Sequence, residues 1–204
     1  MLIVAATDME IEPFLLKKMD LDVLITGVGV PACMYTLTKK IATQKYDVIV
    51  QAGICGSFLP NVALGQTYFI VSDAFADLGI NENNTFYSLF EKNFANPNKW
   101  PFTGGKLLNT YKNKLNLPEA NAITINTVTD NPTQNELYKN KYNAAVESME
   151  GAALHYVCLQ ENIPFIQLRN TSNYIGERNK NNWRIKEAIE GLNKSLLAVI
   201  EKID

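Results

Sequence analysis

The chain is poor in the residues that metal and thiol chemistry most often need. It has one histidine, His155, and three cysteines, Cys33, Cys55 and Cys158, none of them in a CxxC pair. That leaves no ordinary Cys/His zinc set. An odd, scattered set of thiols suits reduced cysteines in a cytosol better than a disulfide framework. A surplus of either charge is also lacking. Nineteen basic residues against 21 acidic ones give a formal net charge of −2, so no basic excess points to nucleic acid or an anionic membrane. No apolar run approaches the roughly 18–20 residues of a membrane span. The opening residues, Met1 to Asp8, have neither the basic start nor the spaced cleavage site of a signal peptide; they read as a first strand. What remains is a chain of 204 residues with an ordinary apolar share, the length of one domain and too apolar for a disordered segment. A cytoplasmic enzyme or binder of small molecules, with no nucleic-acid or membrane partner, is the class left standing.

Short β-branched runs alternate with longer helical patterns. Strands are predicted at Leu2–Ala6, Val23–Thr26, Asp47–Ala52, Tyr68–Ser72, Ala122–Asn126 and Ile163–Arg169. Several lack strict alternation, as parallel strands covered on both faces do. Helices are predicted at Glu10–Met19, Pro31–Thr43, Lys106–Leu115, Thr133–Asn140, Met149–Glu161 and Trp183–Ile203. The last carries a stripe at spacings of three and four, from Ile185 and Ala188 through Leu192, Leu196, Val199 and Ile203. Repeating strand–helix order predicts a single α/β domain over 1–204. The segment Gly79–Gly105, rich in Asn, Phe, Pro and Trp, is longer than most connections. It reads as a surface excursion closed by its own aromatics, or as a lid.

Several motifs carry two readings each. Gly27-Val-Gly29-Val-Pro-Ala32 fits the GxGxxA dinucleotide fingerprint, but the acid expected at the end of the next strand is missing, because Asp47 begins that strand. A tight turn beneath a helix is the simpler account. Gly53-Ile-Cys55-Gly56-Ser57 follows a buried strand, where glycines let a ligand reach backbone amides; there Cys55 is packing or a nucleophile. Asp8, Glu10 and Glu12 are helix-start acids that complement the dipole, or acids of a site. No lysine or arginine occurs between residues 1 and 16, so an anion is an unsuitable guest there. His155 and Cys158, three apart on one predicted helix, are a packed face rather than a dyad, whose members normally come from separate elements. Glu150 opens a helix and Asn173 follows a strand, a placement that suits a cleft and equally suits capping and turn roles.

Taken in order, these segments resemble the nucleoside phosphorylase and nucleosidase superfamily. The matching stretches are Met9-Glu-Ile-Glu12, Thr26-Gly-Val-Gly29, Gln51-Ala-Gly-Ile-Cys-Gly56, Phe69-Ile-Val-Ser-Asp73, Ser148-Met-Glu150 and Arg169-Asn-Thr-Ser-Asn173. Asp77-Leu-Gly79 and Ser172-Asn-Tyr-Ile-Gly-Glu-Arg178, continuing to Trp183, resemble the futalosine hydrolase branch. The resemblance implies a three-layer sandwich with a central mixed, mostly parallel sheet flanked by helices. It implies a purine nucleoside substrate, no cofactor, no metal and a homo-oligomer. It assigns Glu150 to the ribose 2′- and 3′-hydroxyls, with Met149 beneath the sugar, and Glu12 to the attacking water, with Glu10 as the substitute. Asn173 falls where adenine-selective nucleosidases carry an aspartate. Thr127 and Val128 match the segment that meets the purine, Ile54, Cys55 and Gly56 the loop below it, and Trp183 an aromatic beside it.

The chemistry suits these residue types. Cleaving an N-ribosidic bond builds positive charge on the sugar and negative charge on the departing purine, so acids belong at one end and a hydrogen-bonding group at the other. The Asn173 amide both donates and accepts, which suits N7 and O6 of a 6-oxopurine such as hypoxanthine. An acidic first loop disfavours phosphate, which arginines usually clamp; water is the better nucleophile. Of the cations flanking Trp183, namely Arg178, Arg184 and Lys186, Arg178 is the choice for the carboxyphenyl group of futalosine. The readings carried forward are hydrolysis of futalosine to hypoxanthine and dehypoxanthinyl futalosine in menaquinone biosynthesis, another purine nucleosidase or phosphorylase, and a non-catalytic nucleoside binder. The aromatic segment Phe86–Phe102 is a candidate for contact with a second subunit, or for a lid.

Overall fold

The computed structural model describes residues 1–83 and 85–203. It shows one mixed α/β domain built on an eight-stranded sheet. The first strand, β1 (Leu2–Ala5), pairs in parallel with β2 (Asp22–Ile25) on one side and with the start of β3 (Ile49–Ser57) on the other. Along β1 the side chains alternate between two buried faces. Leu2 and Val4 pack with Leu37 and Ile41 of α2 (Val30–Thr43) and with Leu154 and Val157 of α4 (Gly151–Gln160). Ile3 and Ala5 pack with Leu192, Leu196 and Val199 of α5 (Ile185–Ile203). Burial on both faces is why this strand reads as a continuous apolar run. No helix is long and apolar enough to cross a membrane among the described residues.

Beyond Gln51 the sheet curls. β3 stays paired in parallel with β10 (Phe165–Tyr174) throughout, but its last residues, Gly56 and Ser57, exchange β1 for antiparallel β9 (Val146–Ser148). β9 runs parallel to β8 (Glu119–Thr124), β8 to β4 (Thr67–Asp73), and β4 returns antiparallel to β10. The five strands thus close into a ring whose rim carries the ends of β3, β9 and β10. That rim is the natural place for a site, just beyond the carboxyl ends of the parallel strands.

Several elements depart from the sequence reading, among them β3 and β10, which run on through Gly53–Ser57 and Asn173 where the sequence predicts turns. The predicted helix Lys106–Leu115 is absent. Its apolar residues at 107, 108, 111 and 115 mimic a helical stripe, yet Leu107 is fully buried and pairs with Asp73 as part of β7 (Leu107–Leu108). Asn109 then bonds the β4 backbone, its N–H donating to the Val71 carbonyl and its Nδ2 to that of Ile70. Tertiary pairing overrides local propensity here. The predicted helix Glu10–Met19 is a 3₁₀ turn (Met9–Ile11) followed by the single turn α1 (Glu12–Leu15). Trp183 precedes α5 instead of opening it. The segment Gly79–Gly105 contains a hairpin, β5 (Gly79–Glu82) with β6 (Thr85–Ser88), and is closed by its own aromatics. Phe90 stacks edge-on against Phe102, Phe102 meets Tyr156 of α4, and Phe86 meets Tyr138 of α3 (Pro132–Tyr142).

Candidate active site

A cavity of about 250 Å³ opens on the rim of the ring. Its floor is a charged cluster built across three elements. Arg169 sits on β10 in register with Gly53 of β3, and its guanidinium lies over that glycine. A Cβ on Gly53 would stand 2.2 Å from Arg169 Nη1, so only glycine admits the arginine. Arg169 is 1% exposed. Its Nη2 donates to Gln51 Oε1 at 3.1 Å, its Nη1 donates to the Ile54 carbonyl at 3.4 Å, and Nη1 lies 3.5 Å from Glu150 Oε2. A guanidinium placed so deep needs acids beside it, because an unpaired buried charge is strongly unfavourable.

Two carboxylates share that arginine. Glu150 is the last residue before α4, and its Oε1 accepts the Gly29 N–H at 3.0 Å. The turn at Gly27 and Gly29, both at positive φ, therefore presents a backbone donor to Glu150; this is what the GxGxxA resemblance serves in the fold. Glu10, 6% exposed, arrives on the 3₁₀ turn after β1. Its Oε2 accepts the N–H and hydroxyl of Thr7, both at 3.1 Å, and its Oε1 accepts the Ile54 N–H at 3.0 Å. Burial raises the Glu10 carboxyl above its ordinary value and nearby Glu150 adds to this, while Arg169 and the N–H groups of Ile54 and Thr7 pull it back.

The other end of the cavity is less committed. Asn173 on β10 pairs in register with Gly56 of β3, which pairs in turn with Glu147 of β9. Asn173 Nδ2 donates to the Tyr174 carbonyl at 3.1 Å, and its Oδ1 lies 3.0 Å from the Ser172 hydroxyl. Val128, Ile54, Cys55 and Met149 provide apolar surface. Burial pushes the Cys55 thiol up to about 12, so it is a wall and not a nucleophile. At the mouth, Trp183 donates its indole N–H to the Glu177 carbonyl at 3.0 Å, and the Arg178 guanidinium lies 5.9 Å from the Trp183 ring.

A model of the phosphorylase superfamily matches residues 14–203. The chain belongs to the phosphorylase superfamily. Futalosine hydrolase of Thermus thermophilus is 28% identical over 178 residues, covering 85% of this chain and 78% of that protein. Among solved structures, futalosine hydrolase of Helicobacter pylori superposes with a TM-score of 0.79 at 16% identity, over 98% of this chain and 97% of the other. The 5′-methylthioadenosine/S-adenosylhomocysteine nucleosidase of Campylobacter jejuni gives the same TM-score at 19% identity, over 98% and 96%. These structural likenesses establish the superfamily's α/β fold.

Nine of the expected site residues line the cavity: Ile54, Cys55, Gly56, Val128, Met149, Glu150, Asn173, Arg178 and Trp183. Two do not. Glu12 is exposed at the start of α1 and turned away from the cavity, because the 3₁₀ turn ends at Ile11, which is buried against α5. Glu10, the expected substitute for Glu12, lines the cavity. Thr127 is exposed and its N–H is engaged by Asp77 Oδ2 at 3.2 Å, so that backbone donor braces the loop instead of meeting a base. The Arg169 cluster escaped the sequence reading, although an arginine inside the buried run Phe165–Ser172 signals that an acid must meet it. Glu147 escaped as well. The pairing of His155 with Cys158 is a packed face: both are fully buried, and His155 Nδ1 meets the Leu107 carbonyl at 3.1 Å.

Proposed function

We propose that the chain hydrolyses futalosine to hypoxanthine and dehypoxanthinyl futalosine, as its relatives' names suggest, a step in menaquinone biosynthesis. The single observation that carries this reading is how the floor acids spend their acceptor capacity. A carboxylate offers about four acceptor positions. Glu10 uses three and keeps one for water; Glu150 uses one on Gly29 and faces Arg169 with the other oxygen, leaving positions for two ribose hydroxyls. Water held by Glu10 attacks C1′ as the C1′–N9 bond breaks. Its proton passes to Glu10, and the purine leaves with the electron pair and takes a proton from solvent. Asn173 supports this by donating to the N7 and O6 edge as charge develops there.

Phosphate is a poor alternative nucleophile on this floor. Arg169 is committed to Gln51, Ile54 and Glu150, and a dianion would meet two carboxylates. Arg178, exposed at the mouth and in no ion pair among the described residues, is placed for the carboxyphenyl group beyond the ribose. Arg184 instead lies 3.9 Å from Glu187. A cytoplasmic homo-oligomer completes the reading. Met9 and Val28 line the cavity mouth yet are 51% and 57% exposed, a rim that a second copy would cover. No described residue of 79–105 lines the cavity, which favours contact between subunits over a lid for that segment.

The test is release of free hypoxanthine from futalosine, inosine and methylthioadenosine, with and without phosphate. Phosphate-independent release, fastest from futalosine, is expected. Turnover that requires phosphate would assign the chain to the phosphorylases, and turnover of methylthioadenosine alone to the adenine nucleosidases. Binding with no turnover would make it a nucleoside binder.

A further inference from the structure

Glu147 is the one cavity-lining acid that the proposed hydrolysis does not use. It is 8% exposed, and its carboxyl accepts no hydrogen bond and pairs with no cation among the described residues. Its Oε2 is fully buried and unpartnered. Every other acid on this floor is tied down, so an untethered one is out of keeping with the site. Burial, with a smaller push from Asp77, lifts its carboxyl to about 7. Leaving a carboxyl in that condition is unfavourable for folding, and a donor brought by a ligand would relieve it.

The register shows which ligand atom meets it. Asn173, Gly56 and Glu147 form one row across three adjacent strands, so the two outer side chains lie on the same face. Neighbouring strands are roughly 4.7–4.9 Å apart, which sets the two outer backbones ~10 Å from each other. Gly56 between them contributes no side chain, and a Cβ there would strike Ile175 Cγ1 at 2.8 Å. Ile175 thus packs on Gly56, and a flat ring in the cavity beside this row presents adjoining edges to Asn173 and Glu147, both of which line that cavity. With N7 and O6 directed at Asn173, the adjoining edge of a 6-oxopurine carries N1–H, a donor beside O6. Adenine carries a bare acceptor at N1.

We infer that Glu147 reads the base, its carboxylate accepting the N1–H of a 6-oxopurine and disfavouring the unprotonated N1 of adenine. This rests on the proposed purine orientation and adds a residue that selects hypoxanthine over adenine.

The test is calorimetric binding of free hypoxanthine and free adenine to the wild-type protein, Glu147→Leu and Glu147→Gln, with futalosine hydrolysis by the wild type measured separately. The wild type is expected to prefer hypoxanthine by on the order of 10–100-fold, the range of a hydrogen bond to a charged group. Glu147→Leu should bind the two bases about equally. Glu147→Gln, whose amide can accept from N1–H or donate to a bare N1, should lose most of the preference. An unchanged preference in Glu147→Leu, or no preference in the wild type, would overturn the inference whether or not futalosine is cleaved. If Glu147→Leu fails to fold, an unchanged preference in Glu147→Gln would overturn it and a loss of preference would support it. Absence of futalosine turnover with a Glu147-dependent preference intact would instead sink the proposed reaction and leave this inference standing.

Discussion

The two ends of the cavity are built on opposite principles. At the end proposed for the sugar, Glu10, Glu150 and Arg169 are held by Thr7, Gly29, Gln51 and Ile54, and among the described residues Arg169 Nε alone of this cluster lacks an acceptor. At the base end, the Glu147 carboxyl makes no hydrogen bond among the described residues, and the Asn173 side chain bonds only its immediate neighbours there. Preorganised groups are most effective where charge develops during reaction, since they need no rearrangement. Unspent polar groups are most effective where a ligand must be recognised, since a wrong partner leaves them unpaired. On the proposed reading, the difference separates chemistry from selection within one small cavity.

The largest expected effect tests the prebuilt end. Glu10→Gln keeps the shape and removes the base, so kcat should fall by roughly 10²–10⁴-fold with substrate binding retained, read by hypoxanthine release and by calorimetry. A mutant that loses binding as well would move Glu10 from catalysis to structure. Because burial raises the Glu10 carboxyl, wild-type activity should decline on the acid side as that group is protonated.

Arg169→Met comes next and breaks the same end through stability. Removing the guanidinium leaves Glu10 and Glu150 buried without their shared cation. Loss of one partner of a buried pair costs about 3–5 kcal/mol, visible as a large drop in denaturant midpoint and in activity. A variant as stable as the wild type would show that the acids, not the arginine, carry the cluster.

The base end should respond in the opposite sense. The Glu147 carboxyl lies near 4.5 in an unfolded chain and at about 7 when folded. Its raised value means that the folded state holds a proton the unfolded state has lost, so stability falls as pH rises from about 4.5 to 7. Glu147→Leu removes that penalty. Its melting temperature should match or fall below the wild type near pH 4 and exceed it above pH 7. A difference independent of pH would mean the carboxyl is not held as described.

How much of this contrast was legible beforehand depends on range in the chain. The fold was readable because β1, β3, β10 and α5 carry their burial pattern in contiguous residues, as the stripe on α5 shows. Met149, Glu150, Asn173 and the Gly53–Gly56 stretch of β3 were readable because each sits toward the end of a strand or at the start of a helix. The Arg169–Glu150 ion pair, with Glu10 beside it, was not, because it gathers residues far apart in sequence around a glycine, Gly53, whose missing side chain is the local sign. Leu107 misled for the same reason: its partner, Asp73, is on another strand.

A smaller effect is expected at the mouth. Arg178→Ala removes a cation that is exposed at the rim, where screening by solvent weakens any ion pair to about 0–1 kcal/mol. Futalosine should lose up to about fivefold in kcat/KM while inosine, which has no carboxylate, is unchanged. Equal losses on both would place Arg178 in loop structure, through its stacking on Trp183.

The smallest expected effect decides which acid is the base. Glu12 begins α1 and is exposed, so it contributes a first-turn charge to a helix dipole, an interaction of about 0.3–1 kcal/mol at a surface. Glu12→Gln should shift the melting temperature slightly and leave hypoxanthine release within about twofold of wild type. The family resemblance assigns the water to Glu12, two residues from Glu10 on the same short loop, and both variants alter one carboxylate by one atom type. The comparison isolates burial. If Glu12→Gln abolished turnover and Glu10→Gln did not, the 3₁₀ turn would have to rewind on substrate binding and expel Glu10 from the three donors of Thr7 and Ile54. Breaking three hydrogen bonds to a buried carboxylate to admit an exposed one is uphill on every count, which is why the base is assigned to Glu10.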